Sequence, residues 1–222
     1  MKLPTPAVDY RAFRFRKINQ PEYRHLWLLL FWPVYIFRYL LMENLNPAAV
    51  YHPIWCPLDD AIPFCEGFFL FYALWYVFIF GMHIYTALYD VESFRKYTKF
   101  LTICITISTA TFLIYPSCQN LRPAEFPRDN FLTDMVKLIY AVDTSTNVFP
   151  SEHAIGSLAV LAAAINTKSL RSPGKLTVIA VLAVMISVST VFMKQHSALD
   201  VAAALPICAL AYWACYGRRK KK

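Results

Sequence analysis

Six apolar runs, most of them close to the length of a bilayer crossing, limit what this chain can become more than any other feature. A hydrocarbon core of about 30 Å takes about 20 consecutive, mostly apolar helical residues. The runs fall at 25–42, 66–88, 98–116, 152–167, 175–193 and 198–216. The fourth is the weakest, because its purely apolar part is short and its ends are Ser151-Glu152-His153 and Asn166-Thr167-Lys168. Charged residues are 16% of the chain, against roughly a quarter in soluble domains. The aromatic share of 16% suits a protein that sets amphipathic rings at the two interfaces.

Charge gives an independent check, because cytoplasmic loops of membrane proteins are rich in Lys and Arg. With the N-terminus inside, 17 of the 22 basic residues lie in 1–24, 89–99, 168–175 and the C-terminal tail. The other five are Arg38, Arg122, Arg128, Lys137 and Lys194. The expected fold is therefore all-α: a polytopic six-transmembrane-helix bundle with both termini cytoplasmic. Its parts are a basic N-terminal segment (1–24), a membrane domain (25–216) and a basic tail (217–222) that lies against anionic headgroups. Segment 1–24 has no apolar core of a signal peptide, so the first span is expected to serve as an uncleaved anchor.

The formal net charge of +8 does not imply nucleic acid, since the basic residues sit between apolar runs rather than on one accessible face. The six cysteines show no CxxC spacing and suggest no zinc site. A bridge between Cys56 and Cys65 is open to them if their loop lies outside the cytosol. Of the two outer loops, 43–65 is too rich in proline to span and is expected at the interface. The loop 117–150 is longer and polar, and loops of that length are usually functional or disordered.

Ionisable residues at the membrane edge are costly, so each calls for a functional hypothesis. Four polar clusters stand out: Asn120-Leu121-Arg122-Pro123, Pro150-Ser151-Glu152-His153, Lys194-Gln195-His196 and Asp200. On the topology above all four reach the same, non-cytoplasmic edge. Ser151 reads as an N-cap, which puts His153 in a helix first turn whose free N–H groups favour an anion. His196 and Asp200, four apart, share a helix face. A carboxylate on one ring nitrogen fixes the tautomer and frees the other nitrogen to attack. His153 can then protonate the leaving oxygen while Arg122 holds phosphoryl oxygens.

These residues resemble the membrane branch of the type 2 phosphatidic acid phosphatase (PAP2) superfamily. Its pattern is Lys-x6-Arg-Pro, then Pro-Ser-Gly-His, then Ser-Arg-x5-His-x3-Asp. The chain matches it at Arg122-Pro123, at Pro150, Ser151 and His153, and at Ser189, His196 and Asp200, with a likeness over roughly 54–216. The resemblance implies a phosphohistidine mechanism with His196 as nucleophile, Asp200 orienting it, His153 as general acid or base, and Arg122 and Ser151 binding phosphate. Three positions depart: Tyr115 stands for the Lys, Glu152 for the Gly and Thr190 for the Arg. Two cations are lost and a carboxylate is gained, which favours a singly charged phosphodiester over a phosphate monoester. The segment Leu58–Phe64, followed by Tyr72 and Trp75, is also similar to the branch containing inositol phosphorylceramide and sphingomyelin synthases.

Secondary candidates have ordinary readings beside the functional ones. Lys194 is a substitute for the missing Arg or a snorkelling lysine, and Arg38 also reads as snorkelling. Glu152 is a second base or a solvated helix-start carboxylate. Asp143 and Asn147 read as turn formers. The expectation is an integral membrane lipid phosphatase or phosphotransferase, with no metal and no cofactor. Its partners would be a lipid phosphate substrate and membrane lipids, without nucleic acid; the oligomer is not readable. One rival is a plain phosphatase for phosphatidate or polyprenyl diphosphate, and another is a non-catalytic lipid-binding or transport protein. A short chain without a glycosylation-rich exterior points to a bacterial cell membrane.

Overall fold

The computed structural model describes residues 4–44 and 50–217. The basic tail at 218–222 and part of the loop 43–65 lie outside the described residues. Among the described residues eight α-helices follow in order: α1 (Phe31–Asn44), α2 (Pro57–Ala61), α3 (Phe69–Tyr89), α4 (Val91–Ile114), α5 (Phe131–Val142), α6 (Glu152–Asn166), α7 (Pro173–Phe192) and α8 (Ala198–Tyr212). Single-turn and longer 3-10 segments extend α1 and α3 at their starts. The only sheet among the described residues is one parallel pairing of His52–Pro53 with Ser117–Cys118.

The protein is a nearly all-α membrane protein. Among the described residues five helical stretches are long and apolar enough to cross a bilayer: Arg24–Glu43, Glu66–Tyr89, Val91–Ile114, Pro173–Phe192 and Ala198–Gly217. The sixth expected span, α6, is a shorter apolar helix at Glu152–Asn166. It packs among α3, α4, α7 and α8. Ala154, Gly156, Ala159, Ala163 and Ala164 are buried along it, and small side chains let neighbouring backbones approach closely where lipid supplies no hydrophobic drive. At Gly156 a Cβ would stand 2.6 Å from Trp75 Nε1, so the indole from α3 can lie this close only against glycine. The main core adds Tyr97, Phe100, Leu101 and Cys104 from α4 and Ile186 from α7.

The third span begins seven residues before its expected start at 98. Asp90 ends α3 and caps α4, its side chain accepting the Ser93 N–H at 3.0 Å. Arg95, Lys96 and Lys99 therefore lie on the first turns of a helix rather than in a loop, and Lys96 pairs with Glu92 at 2.8 Å. The basic N-terminal segment folds against this same end of the bundle: Ala7 N–H donates to Leu88 O at 2.7 Å and Tyr10 OH to Ala87 O at 2.6 Å. Tyr216 near the C-terminus also sits here, 6.0 Å from Lys96 Nζ. Both described chain ends thus share one end of the bundle with the α3–α4 turn.

The opposite end carries the loops. The stretch 117–150, expected as a polar loop, contains α5, an amphipathic helix that buries Thr133 and Val136 and exposes Phe131 and Val142. Arg128 and Asn130 pin its start, both donating to the Glu66 carboxylate. Cys56 and Cys65 are both free thiols.

Candidate functional site

The loop end converges on two histidines. Ser151 caps α6, accepting the Ala154 N–H, and so sets His153 in the first turn. Ser197 caps α8, and Asp200 completes its capping box by accepting the Ser197 N–H on Oδ2 at 2.9 Å. The same oxygen lies 3.1 Å from His196 Nδ1. A carboxylate only accepts, so this contact puts the proton on Nδ1 and leaves Nε2 as the free lone pair. Asp200 is fully buried. Its backbone carbonyl accepts the Ser151 N–H at 3.0 Å, tying the starts of α6 and α8 together. The two imidazole centroids stand 6.0 Å apart. His153 is held between aromatic rings, 4.4 Å from Tyr72 and 4.5 Å from Trp75, with its Nε2 unpartnered.

Both histidines line a cavity of about 270 Å³, together with residues of α1, α3 and the segment 139–150. Asp143 is part of its wall, accepting from Tyr39 OH at 3.1 Å and from Tyr72 OH and Gln195 Nε2 at 3.2 Å each. The turn-former reading of Asp143 is therefore corrected. Asn147, with φ 53°, does occupy the left-handed turn conformation that asparagine tolerates, and it lines the cavity as well.

Arg38 and Glu152 also differ from their ordinary readings. Nη2 of Arg38 on α1 donates to Glu152 Oε2 at 2.6 Å, and Tyr35 OH donates to the same oxygen at 3.0 Å. Their side chains are 14% and 13% exposed, so neither is a snorkelling or solvated group. Sequence reading missed this pair because its members lie 114 positions apart. The available signal was an arginine inside an apolar run.

The remaining candidates are displaced from the cavity. Arg122 donates to the backbone carbonyls of Tyr140, Asp143 and Thr144 and to Gln195 Oε1, the last at 2.6 Å. It braces the loop behind His196. Ser151 is buried as a cap and does not line the cavity. Tyr115 stacks on His52 with centroids 4.3 Å apart, away from both histidines. Thr190 is buried, and its carbonyl accepts the N–H groups of Gln195 and His196.

Lys194 is neither a substitute for the lost arginine nor a surface lysine. It is buried with φ 54°, and its Nζ donates to the carbonyls of Asp59 and Ile62. Burial holds its pKa below the ordinary lysine value, partly opposed by Asp59 and Asp60. It clamps the end of α2, whose Asp59 carboxylate accepts Ser197 Oγ–H at 2.6 Å and Ala198 N–H at 2.8 Å. Burial pushes the Asp59 carboxyl up, but these donors and the Cys56 N–H outweigh it and leave the pKa below the usual carboxylate range. A short helix from the 43–65 loop thus braces the start of α8 directly beneath His196. Among the described residues no group of His, Cys, Asp or Glu is arranged to hold a metal ion.

Two histidines, one backed by a locked carboxylate, in a recess at the ends of membrane helices form an arrangement suited to phosphoryl transfer. The chain belongs to the PAP2 superfamily, whose profile matches residues 100–222 and so covers α6 to α8 and most of α4. The superfamily is one of phosphoesterases, acting on phosphate esters. Searches among curated proteins and among solved structures return no match.

Proposed function

We propose that this protein is a lipid phosphatase or phosphotransferase that acts through a phosphohistidine on His196, at the non-cytoplasmic face of its membrane. The observation that carries the reading is the His196 Nδ1–Asp200 Oδ2 contact, with the carboxylate oxygen held in place by the Ser197 N–H. His196 Nε2 attacks phosphorus as the bond to the leaving oxygen breaks, and His153 gives that oxygen its proton. In the second step His153 takes the proton of an incoming hydroxyl, which attacks phosphorus and releases His196. Asp200 offsets the positive charge that forms on the ring. Arg122, expected to bind phosphate, serves instead as a positioning residue through Gln195.

The cavity's charges favour a singly charged ester. Among the described residues Glu43, Asp143 and Glu152 line it against a single Lys or Arg, Arg38. At about 8 Å and an effective dielectric of about 20, each further negative charge on the substrate costs about 2 kcal/mol per uncompensated carboxylate. A phosphodiester avoids that second charge. The basic residues at the opposite end of the bundle support its assignment to the cytoplasm, which leaves the site outside.

The test is turnover of lipid phosphomonoesters, diphosphates and phosphodiesters by purified protein beside His196→Ala, with enzyme quenched in alkaline detergent and assayed for a base-stable, acid-labile phosphoryl adduct. Wild type should turn over phosphodiesters and trap the adduct, and the variant should do neither. Free phosphate from monoesters alone would replace the reading with the plain phosphatase. Equal behaviour of the two proteins on every substrate would replace it with a non-catalytic lipid binder.

A further inference from the structure

Three positions of the family pattern are altered, and α1, which lies outside the matched residues, accounts for part of what they lack. Tyr115 and Thr190 stand where the pattern has cations, and neither faces the cavity. Among the described residues, Arg38 is the one Lys or Arg that lines it. It is held there by Glu152, the residue standing in the place of the pattern's glycine. A carboxylate added to α6 and an arginine brought from α1 are therefore two halves of one device. Nη1 makes a 3.3 Å contact with Thr109 Oγ1, and Nε is buried with no partner.

Behind Arg38 and Tyr35, which border both spaces, α1 and α4 part to leave a groove of about 400 Å³. Its walls include Phe31, Val34, Ile105, Thr106, Ala110 and Leu113. The hydroxyls of Thr102, Thr106 and Thr109 donate to carbonyls one turn back on their own helix, so the α4 wall of the groove turns no free threonine donor into it. Val34 and Leu113 at its rim are 66% and 56% exposed, so it opens sideways to the hydrocarbon. From Thr102 to Leu113 it runs about 16 Å along α4. A partner helix of about 10 Å diameter over that length would need about three times the volume. A single hydrocarbon chain fits.

We propose that the groove between α1 and α4 is the subsite for a hydrocarbon chain of the lipid substrate, and that Arg38, where groove meets cavity, binds the phosphate of that same molecule. The inference rests on the lipid phosphate ester reading above. A lipid lying this way has its chain still in the bilayer, its phosphate under the guanidinium and its ester oxygen toward His153. Glu152 is then a positioning residue that keeps Arg38 from withdrawing along α1.

The experiment compares dioleoyl phosphatidylglycerol with the water-soluble bis(p-nitrophenyl) phosphate, and adds a phosphatidylglycerol with a diazirine in its acyl chain as a photoprobe. The double variant Thr106→Trp/Ala110→Phe, which fills the groove from its lipid side, should raise KM for the long-chain lipid at least tenfold and leave soluble-ester turnover within twofold. Arg38→Gln should lower kcat/KM on both esters about a hundredfold, with Arg38→Lys recovering part of it. Photolabelling of wild type, which needs no variant, should map to α1 and α4. Equal losses on both esters in the groove variant, an active Arg38→Gln, or labels confined to other helices would overturn the proposal. Labelling in the groove of a protein that turns over neither ester would uphold the subsite and overturn the catalytic reading instead.

Discussion

Replacing Asp200 by asparagine separates two things the carboxylate does for His196. Oδ2 accepts both the Ser197 N–H and the ring N–H, while Oδ1 has no partner. An asparagine must turn its carbonyl oxygen to the Oδ2 place, because the amide nitrogen there would face the Ser197 N–H donor to donor. The Nδ1–H tautomer is thereby kept, and only the charge is lost. A hydrogen bond to a charged group contributes about 1.5–3 kcal/mol, against about 0.5–1.5 for a neutral one. The difference of about 1–2 kcal/mol predicts a fall in kcat of about 5–30-fold. Asp200→Ala removes the acceptor altogether and should cost about 10⁴-fold, the size of a tautomer error in a serine-protease triad. The assay is steady-state turnover of a phosphodiester lipid in mixed micelles, with thermal melting to show that both variants remain folded. An asparagine variant as dead as the alanine one, while still folded, would refute the capping-box lock.

Asp59 gives a pH prediction. Its folded pKa is depressed, so its contribution is complete above the unfolded value of about 3.9 and is lost as pH falls through the lower folded value. Asp59→Asn should lower the melting temperature at pH 7 and flatten its decline below about pH 4; melting curves that stay parallel to wild type across that range would show that the carboxylate does not hold the start of α8. For the topology, Glu125→Cys in a chain freed of its native cysteines should react with a membrane-impermeant maleimide on intact cells. Reaction only after permeabilisation would put the site in the cytoplasm.

What could be read from sequence was what is written locally. Apolar runs located the membrane helices to within a few residues, and four-residue spacing put His196 and Asp200 on one face. The start of α4 was misplaced because the helix that Asp90 caps begins seven residues before its apolar run, so a polar first two turns looked like a loop. Helix α5 was hidden for a related reason: 12 residues with one buried face are too short and too mixed to register beside runs of 20. The larger errors concern partners distant in sequence. Arg38 meets Glu152, Lys194 meets the end of α2, and Arg122 meets the carbonyls after α5. In each case the residue was rightly marked as costly at a membrane edge. Its partners were not legible, because charge alone does not say which way a long side chain turns.

The shortness of α6 has a consequence for the end away from the histidines. Its 15 residues span about 22 Å, less than the hydrocarbon thickness of about 30 Å, and the Ser151 N–H bond to the Asp200 carbonyl holds its start level with that of the longer α8. The shortfall therefore falls at Asn166, where the last carbonyls of the helix need partners below the level its neighbours reach. Arg171 supplies them, donating to the carbonyls of Ile165 and Asn166. A basic side chain thus finishes the helix where its own residues stop short.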